Sequence, residues 1–109
     1  MTVAELQQLI REVRASRGFV TDPVKITLLM TEEVGEIAAE LKRLWSPNYG
    51  AFEADRLREE IADVFVTLSA LANVFDIDIG DAVREKFIEK DSSRTWESAR
   101  PADQPHRSS

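Results

Sequence analysis

The sequence predicts an all-α fold, a four-helix bundle, on three observations. Apolar residues recur at three- and four-residue steps in four successive blocks, and capping residues precede most of these blocks. No stretch alternates apolar and polar residues as a half-buried strand would. A chain of 109 residues suits one domain, expected over residues 1–96, and folding at that size buries roughly 60–70% of the surface an unfolded chain exposes.

Thr2-Val3-Ala4-Glu5 has the Thr-x-x-Glu form of a capping box, and Val3, Leu6, Leu9, Ile10 and Val13 then follow at helical spacing towards Gly18. Asp22-Pro23 supplies an N-cap and a proline at the first helical position. The second pattern runs through Ile26, Leu29, Met30, Val34, Ile37, Leu41 and Leu44, and stops before the turn formers Ser46-Pro47-Asn48-Tyr49-Gly50. A third helix begins near Phe52 or Glu53 and runs to about Val74, with Leu57, Ile61, Val64, Leu68, Leu71 and Phe75 as a bundle seam. Asp76-Ile77-Asp78 caps a fourth, in which Ile79, Ala82, Val83, Phe87 and Lys90 trace one face until about Ser92. The segment 97–109, rich in proline, serine and charge, is expected to stay disordered.

The composition removes several classes of chemistry. A net charge of -6 argues against a nucleic-acid polymer or an anionic membrane as partner, because phosphate-rich surfaces repel an acidic protein. The absence of cysteine excludes disulfides, thiolate nucleophiles and Cys-based zinc sites. No signal peptide or membrane-length apolar run is visible, so the expected location is the cytoplasm.

The carboxylates of the second helix lie on its apolar side. With Glu33 at about 0° on a wheel of about 100° per residue, Ile26 and Leu44 fall near 20°, Ile37 near 40° and Leu29 near 320°. Glu40, near 340°, is inside the same arc, and Glu36, near 300°, is on its edge. Glu32, Lys42 and Arg43 fall outside it. On the third helix Glu60 and Asp63 flank the seam one turn apart. Carboxylates converging on a bundle interior need compensating cations, and the basic residues of the second helix are expected on its other side. A divalent ion is the economical solution. Oxygen-only ligation selects Mg²⁺, with Mn²⁺ as a substitute. A di-iron bundle would need two Glu-x-x-His motifs, and His106 is the sole histidine.

Glu32-Glu33-Val34-Gly35-Glu36 and Glu60-Ile61-Ala62-Asp63, with twenty-three residues between them, resemble the Glu-Glu-x-x-Glu and Glu-x-x-Asp motifs of the MazG-type all-alpha nucleoside triphosphate pyrophosphohydrolases. The resemblance covers about residues 20–96 and extends to a basic terminal stretch, Lys86 to Arg94. It implies that Glu33, Glu36, Glu60 and Asp63 bind Mg²⁺, and that Glu32 or Glu33 takes a proton from the attacking water. It also implies that Lys86, Lys90 and Arg94 meet phosphates; Asp91 stands where the family usually has asparagine. The implied reaction is hydrolysis of a nucleoside triphosphate between the α and β phosphates, in a homodimer or homotetramer. Phe19 and Trp45 are candidate stacking surfaces for the base, with Tyr49 and Trp96 as further aromatics.

Two other readings compete. Phosphoribosyl-ATP pyrophosphatase shares the bundle and acidic motifs, but Val64-Phe65-Val66-Thr67 lacks the Tyr-His expected after Asp63. A non-catalytic helical oligomerisation module would instead use the same glutamates as interface charges.

Overall fold

A computed structural model describes residues 1–96, and the expected disorder of 97–109, with His106, lies outside the described residues. Helix α1 spans Val3–Ser16, α2 Pro23–Trp45, α3 Ala54–Val74 and α4 Ile79–Val83. The described residues contain no strand.

The helix starts follow local chemistry. The Thr2 hydroxyl accepts from the Glu5 N–H at 3.0 Å, and the Glu5 carboxylate accepts from the Thr2 N–H at 2.7 Å, which completes the capping box. Asp22 Oδ1 accepts from the Val24 and Lys25 N–H groups at 2.8 and 3.0 Å. Gly18, at φ +70°, turns the chain out of α1 through a left-handed conformation that a side chain would oppose. Ser46 ends α2 and caps a single 3₁₀ turn, Pro47–Tyr49.

Helix α3 is capped from outside itself. Its N-cap residue, Glu53, makes no capping bond with its own side chain. Instead the Glu53 N–H donates to Glu40 Oε2 of α2 at 2.9 Å. Glu40, with a side chain only 3% exposed, also accepts from Arg43 Nη1 at 2.7 Å and Arg56 Nε at 2.8 Å. Arg43 Nε reaches the Tyr49 carbonyl at 3.1 Å and Arg56 Nη2 the Ala51 carbonyl at 2.7 Å. These bonds tie α2, α3 and their connection into one knot. They lower the Glu40 pKa to about 2, chiefly through the Arg56 hydrogen bond and then the Glu53 N–H. The expectation that the basic residues of α2 lie away from its inward carboxylates is therefore corrected at Glu40. Arg43 is long enough to fold back across about 60° of helix surface, and α3 contributes Arg56.

Pairing Glu40 with Glu53 and Arg56 makes α2 and α3 an antiparallel hairpin, and α1 lies across the C-terminal half of α3. The buried apolar residues are Ile10, Ile26, Ala70 and Ala72. Beside them lies a satisfied polar network. Gln7 Nε2 donates to Asn73 Oδ1 at 3.2 Å and to the Ile77 carbonyl at 2.8 Å, while its Oε1 accepts from the Ile79 N–H at 2.8 Å. Asn73 Nδ2 donates to the Gln7 carbonyl at 3.1 Å. This network fixes α1 to the tight α3–α4 turn, where Asp76 takes φ +54°.

The last helix departs from the continuous α-helix that the apolar spacing suggests. Regular α geometry stops at Val83, and Arg84–Lys90 winds as a π-helix. Ion pairs five residues apart favour that register: Arg84 with Glu89 at 2.9 Å and Lys86 with Asp91 at 2.5 Å. In an α-helix residues five apart are about 140° apart and could not pair so closely. The seam expected on α3 is left open, with Ile61, Leu68 and Phe75 exposed, and Phe87 is exposed as well.

Candidate metal centre

Antiparallel packing brings the middle of α2 beside the first half of α3. Glu33, Glu60 and Asp63 each place a carboxylate oxygen within 4.8 Å of the other two. Glu33 and Glu60 are partly buried and Asp63 is exposed. Among the described residues no cation or N–H group pairs with these three side chains, in contrast to Glu40 seven residues along from Glu33. Burial raises the Glu33 pKa, followed by the charge of Asp63, a shared hydrogen bond with it, and the charges of Glu60 and Glu36. Burial also raises Glu60, followed by Glu36 and Asp63. Glu36 is thus within electrostatic reach of both, although it is exposed and outside the tight group of three.

Like charges gathered in this way repel one another and favour a cation among them. The donor set is all carboxylate oxygen, which suits a hard divalent cation.

A model of the MazG nucleotide pyrophosphohydrolase domain matches residues 22–96. The chain belongs to that family. The match begins at the cap of α2 and includes every carboxylate of the centre. A Bacillus subtilis (strain 168) relative described as uncharacterized protein YpjD is 34% identical over 77 residues, covering 66% of this chain and 69% of the relative. No solved structure matches. No helix among the described residues is long and apolar enough to cross a membrane.

The other expected site residues of this MazG domain are distributed as follows. Glu32 is exposed. Lys86 and Arg94 both contact Asp91 Oδ2, at 2.5 and 3.5 Å, and neither reaches the carboxylates of the centre. Lys90 is exposed on the π-helix. Trp45 stacks on Tyr49, with ring centroids 6.0 Å apart and planes 18° apart. Phe19 lies under the Arg14 guanidinium, 5.2 Å from its carbon, at the edge of a cavity of about 380 Å³. Arg11, Arg14, Thr21, Ile26 and Ala70 also line this cavity.

Sequence reasoning missed Arg56, Gln7 and Asn73, whose roles depend on tertiary partners. It also missed the cavity's two arginines. The one available signal was an arginine four residues before Glu60 and hence on the same face of α3.

Proposed function

We propose that the protein hydrolyses a nucleoside triphosphate between its α and β phosphates, giving a monophosphate and pyrophosphate, with Mg²⁺ held by Glu33, Glu36, Glu60 and Asp63. The observation that carries this reading is the unpaired convergence of Glu33, Glu60 and Asp63 in a MazG domain. Mn²⁺ would substitute on the same oxygen ligands. Such an ion supplies neutralisation of phosphate charge and a lowered pKa for a coordinated water. The chain's own carboxylates would hold the ion and take up the proton of the attacking water. Glu33 is favoured over Glu32 as the proton acceptor, because its carboxylate is in the group whereas Glu32 is exposed outside it. The centre is made of carboxylates alone, with no hydroxyl, thiol or amine among them, which suits attack by an activated water.

The cavity beside Phe19 suits the base. Ile26 and Ala70 in its lining each lie seven residues from Glu33 and Asp63 respectively, which is two turns along the same helix faces and about 10 Å. That span leaves room for a sugar between base and phosphates. Trp45, twelve residues beyond Glu33, is about 18 Å along α2 and already stacked on Tyr49, so Phe19 is the better stacking candidate.

Lys86, Lys90 and Arg94 complete the phosphate site in this reading, with a second copy of the chain closing the arrangement. An apolar groove of about 540 Å³ between α3 and the last helix, lined by Leu68, Leu71, Phe75, Val83 and Phe87, supports a homodimer or homotetramer.

The test is pyrophosphate release from a panel of ribo-, deoxy- and modified nucleoside triphosphates with Mg²⁺. Glu36→Gln and Asp63→Asn should each abolish release while circular dichroism shows an intact helical fold. Unchanged turnover in both variants would remove the assignment.

A further inference from the structure

The terminal segment contains a charge arrangement that the proposed reaction does not require. The Asp91 N–H donates to the Lys86 carbonyl at 3.0 Å, the last turn of the π-helix, and this places the two side chains on one side. Lys86 Nζ is 2.5 Å from Asp91 Oδ2, and Arg94 Nη1 is 3.5 Å from the same oxygen. Exposure separates the three. The Asp91 side chain is 15% exposed, against 60% for Lys86 and 75% for Arg94. A carboxylate therefore sits beneath two outward-facing cations, and the outer layer remains open to an anion.

We propose that Asp91 is a resident counter-anion of the phosphate-binding segment: it holds Lys86 and Arg94 in the free protein, yields them to an incoming polyphosphate, and thereby limits how tightly polyphosphate is held. This rests on the reading of Lys86 and Arg94 as phosphate contacts. A phosphate that engages both cations must compete with the carboxylate for their N–H groups and also meets its negative charge. The same competition acts on the pyrophosphate product, so Asp91 favours release. Exposed ion pairs are each worth about 0.3–1 kcal/mol, or about two- to fivefold in an equilibrium. Two such pairs place the effect between about threefold and thirtyfold.

The probe is inorganic tripolyphosphate with Mg²⁺, titrated calorimetrically into the full chain at low salt. Asp91→Asn should bind it about three- to thirtyfold more tightly than the natural chain, and Asp91→Ser should move in the same direction. Adding Lys86→Ala to Asp91→Asn should cancel the gain. A carboxylate that only braces the helix end would give lower melting temperatures in both Asp91 variants and unchanged tripolyphosphate affinity, which overturns the proposal. Weaker binding in both variants, or no binding by any form, overturns it equally. Pyrophosphate release from nucleotides by the natural chain is scored separately, so loss of this inference is distinguishable from loss of the functional reading.

Discussion

Asp63→Asn should make the metal-free protein more stable and the magnesium response smaller, two effects of opposite sign. The Asp63 carboxylate lies within 4.8 Å of Glu33. Two unit charges at that separation repel by about 0.9 kcal/mol in water and about 3.5 kcal/mol at an effective dielectric of 20. Asp63 is exposed, so the lower end applies and about 1 kcal/mol is relieved by the amide. For a domain of this size that is roughly 4–8 °C in melting temperature. Magnesium at a hundredfold excess over its dissociation constant adds about 2.7 kcal/mol to the natural protein, or roughly 10–20 °C. Scanning calorimetry with EDTA, and then with Mg²⁺ at fixed ionic strength, measures both quantities. The variant should start higher and rise less. If Asp63→Asn melts lower without metal, or if magnesium raises both proteins equally, the three carboxylates are not a cation site.

Stability of the metal-free protein should peak near pH 4.5. Glu33 and Glu60 have folded pKa values raised above 4.5, so their contribution is complete below that value and is lost as pH rises through the higher folded values. Glu40, lowered to about 2, contributes above 4.5 and loses its contribution as pH falls towards 2. Denaturant melts across pH should show Glu33→Gln flattening the alkaline limb and Glu40→Gln flattening the acid limb; a monotonic profile would contradict this. Gln7→Ala removes three side-chain hydrogen bonds at the α1–α3 contact and should cost about 3 kcal/mol in urea unfolding; a loss under about 1 kcal/mol would mean the network is not intact in solution. Ser69 is fully buried and its hydroxyl has no partner, so Ser69→Ala should be neutral or stabilising by up to about 1 kcal/mol, and a clear destabilisation would reveal a missed hydrogen bond.

Features governed by short-range spacing were legible in the sequence. Asp22-Pro23 identifies the start of α2, and the 3.6-residue period alone turns Glu33 and Glu60 inward. What required the structure was the identity of tertiary partners. Glu40 is inward by the same period, yet nothing local distinguishes it from Glu33; the difference is Arg56, sixteen residues away on another helix. The last helix misled for a different reason. Its apolar spacing fits an α-helix, but the ion pairs of Arg84 and Lys86 fit a register one residue longer per turn, and Val83 and Phe87 are more than half exposed, so little apolar packing opposes it. Ile61, Leu68 and Phe75 were recognisable as a seam, although what covers it is not a local property.

The connection between α2 and α3 contains proline, glycine and exposed polar residues, the composition at which chains normally accept insertions. The knot around Glu40 makes it behave otherwise. Arg43 holds the carbonyl of Tyr49, Arg56 that of Ala51, and Glu40 the N–H of Glu53, so three anchors fall within five residues. An extra residue placed among them would detach at least one anchor or slide α3 along α2, moving Glu60 and Asp63 away from Glu33. The interval between the two acidic motifs is in this sense gauged by a buried glutamate, and loop-length variants of this surface segment should behave like core mutations.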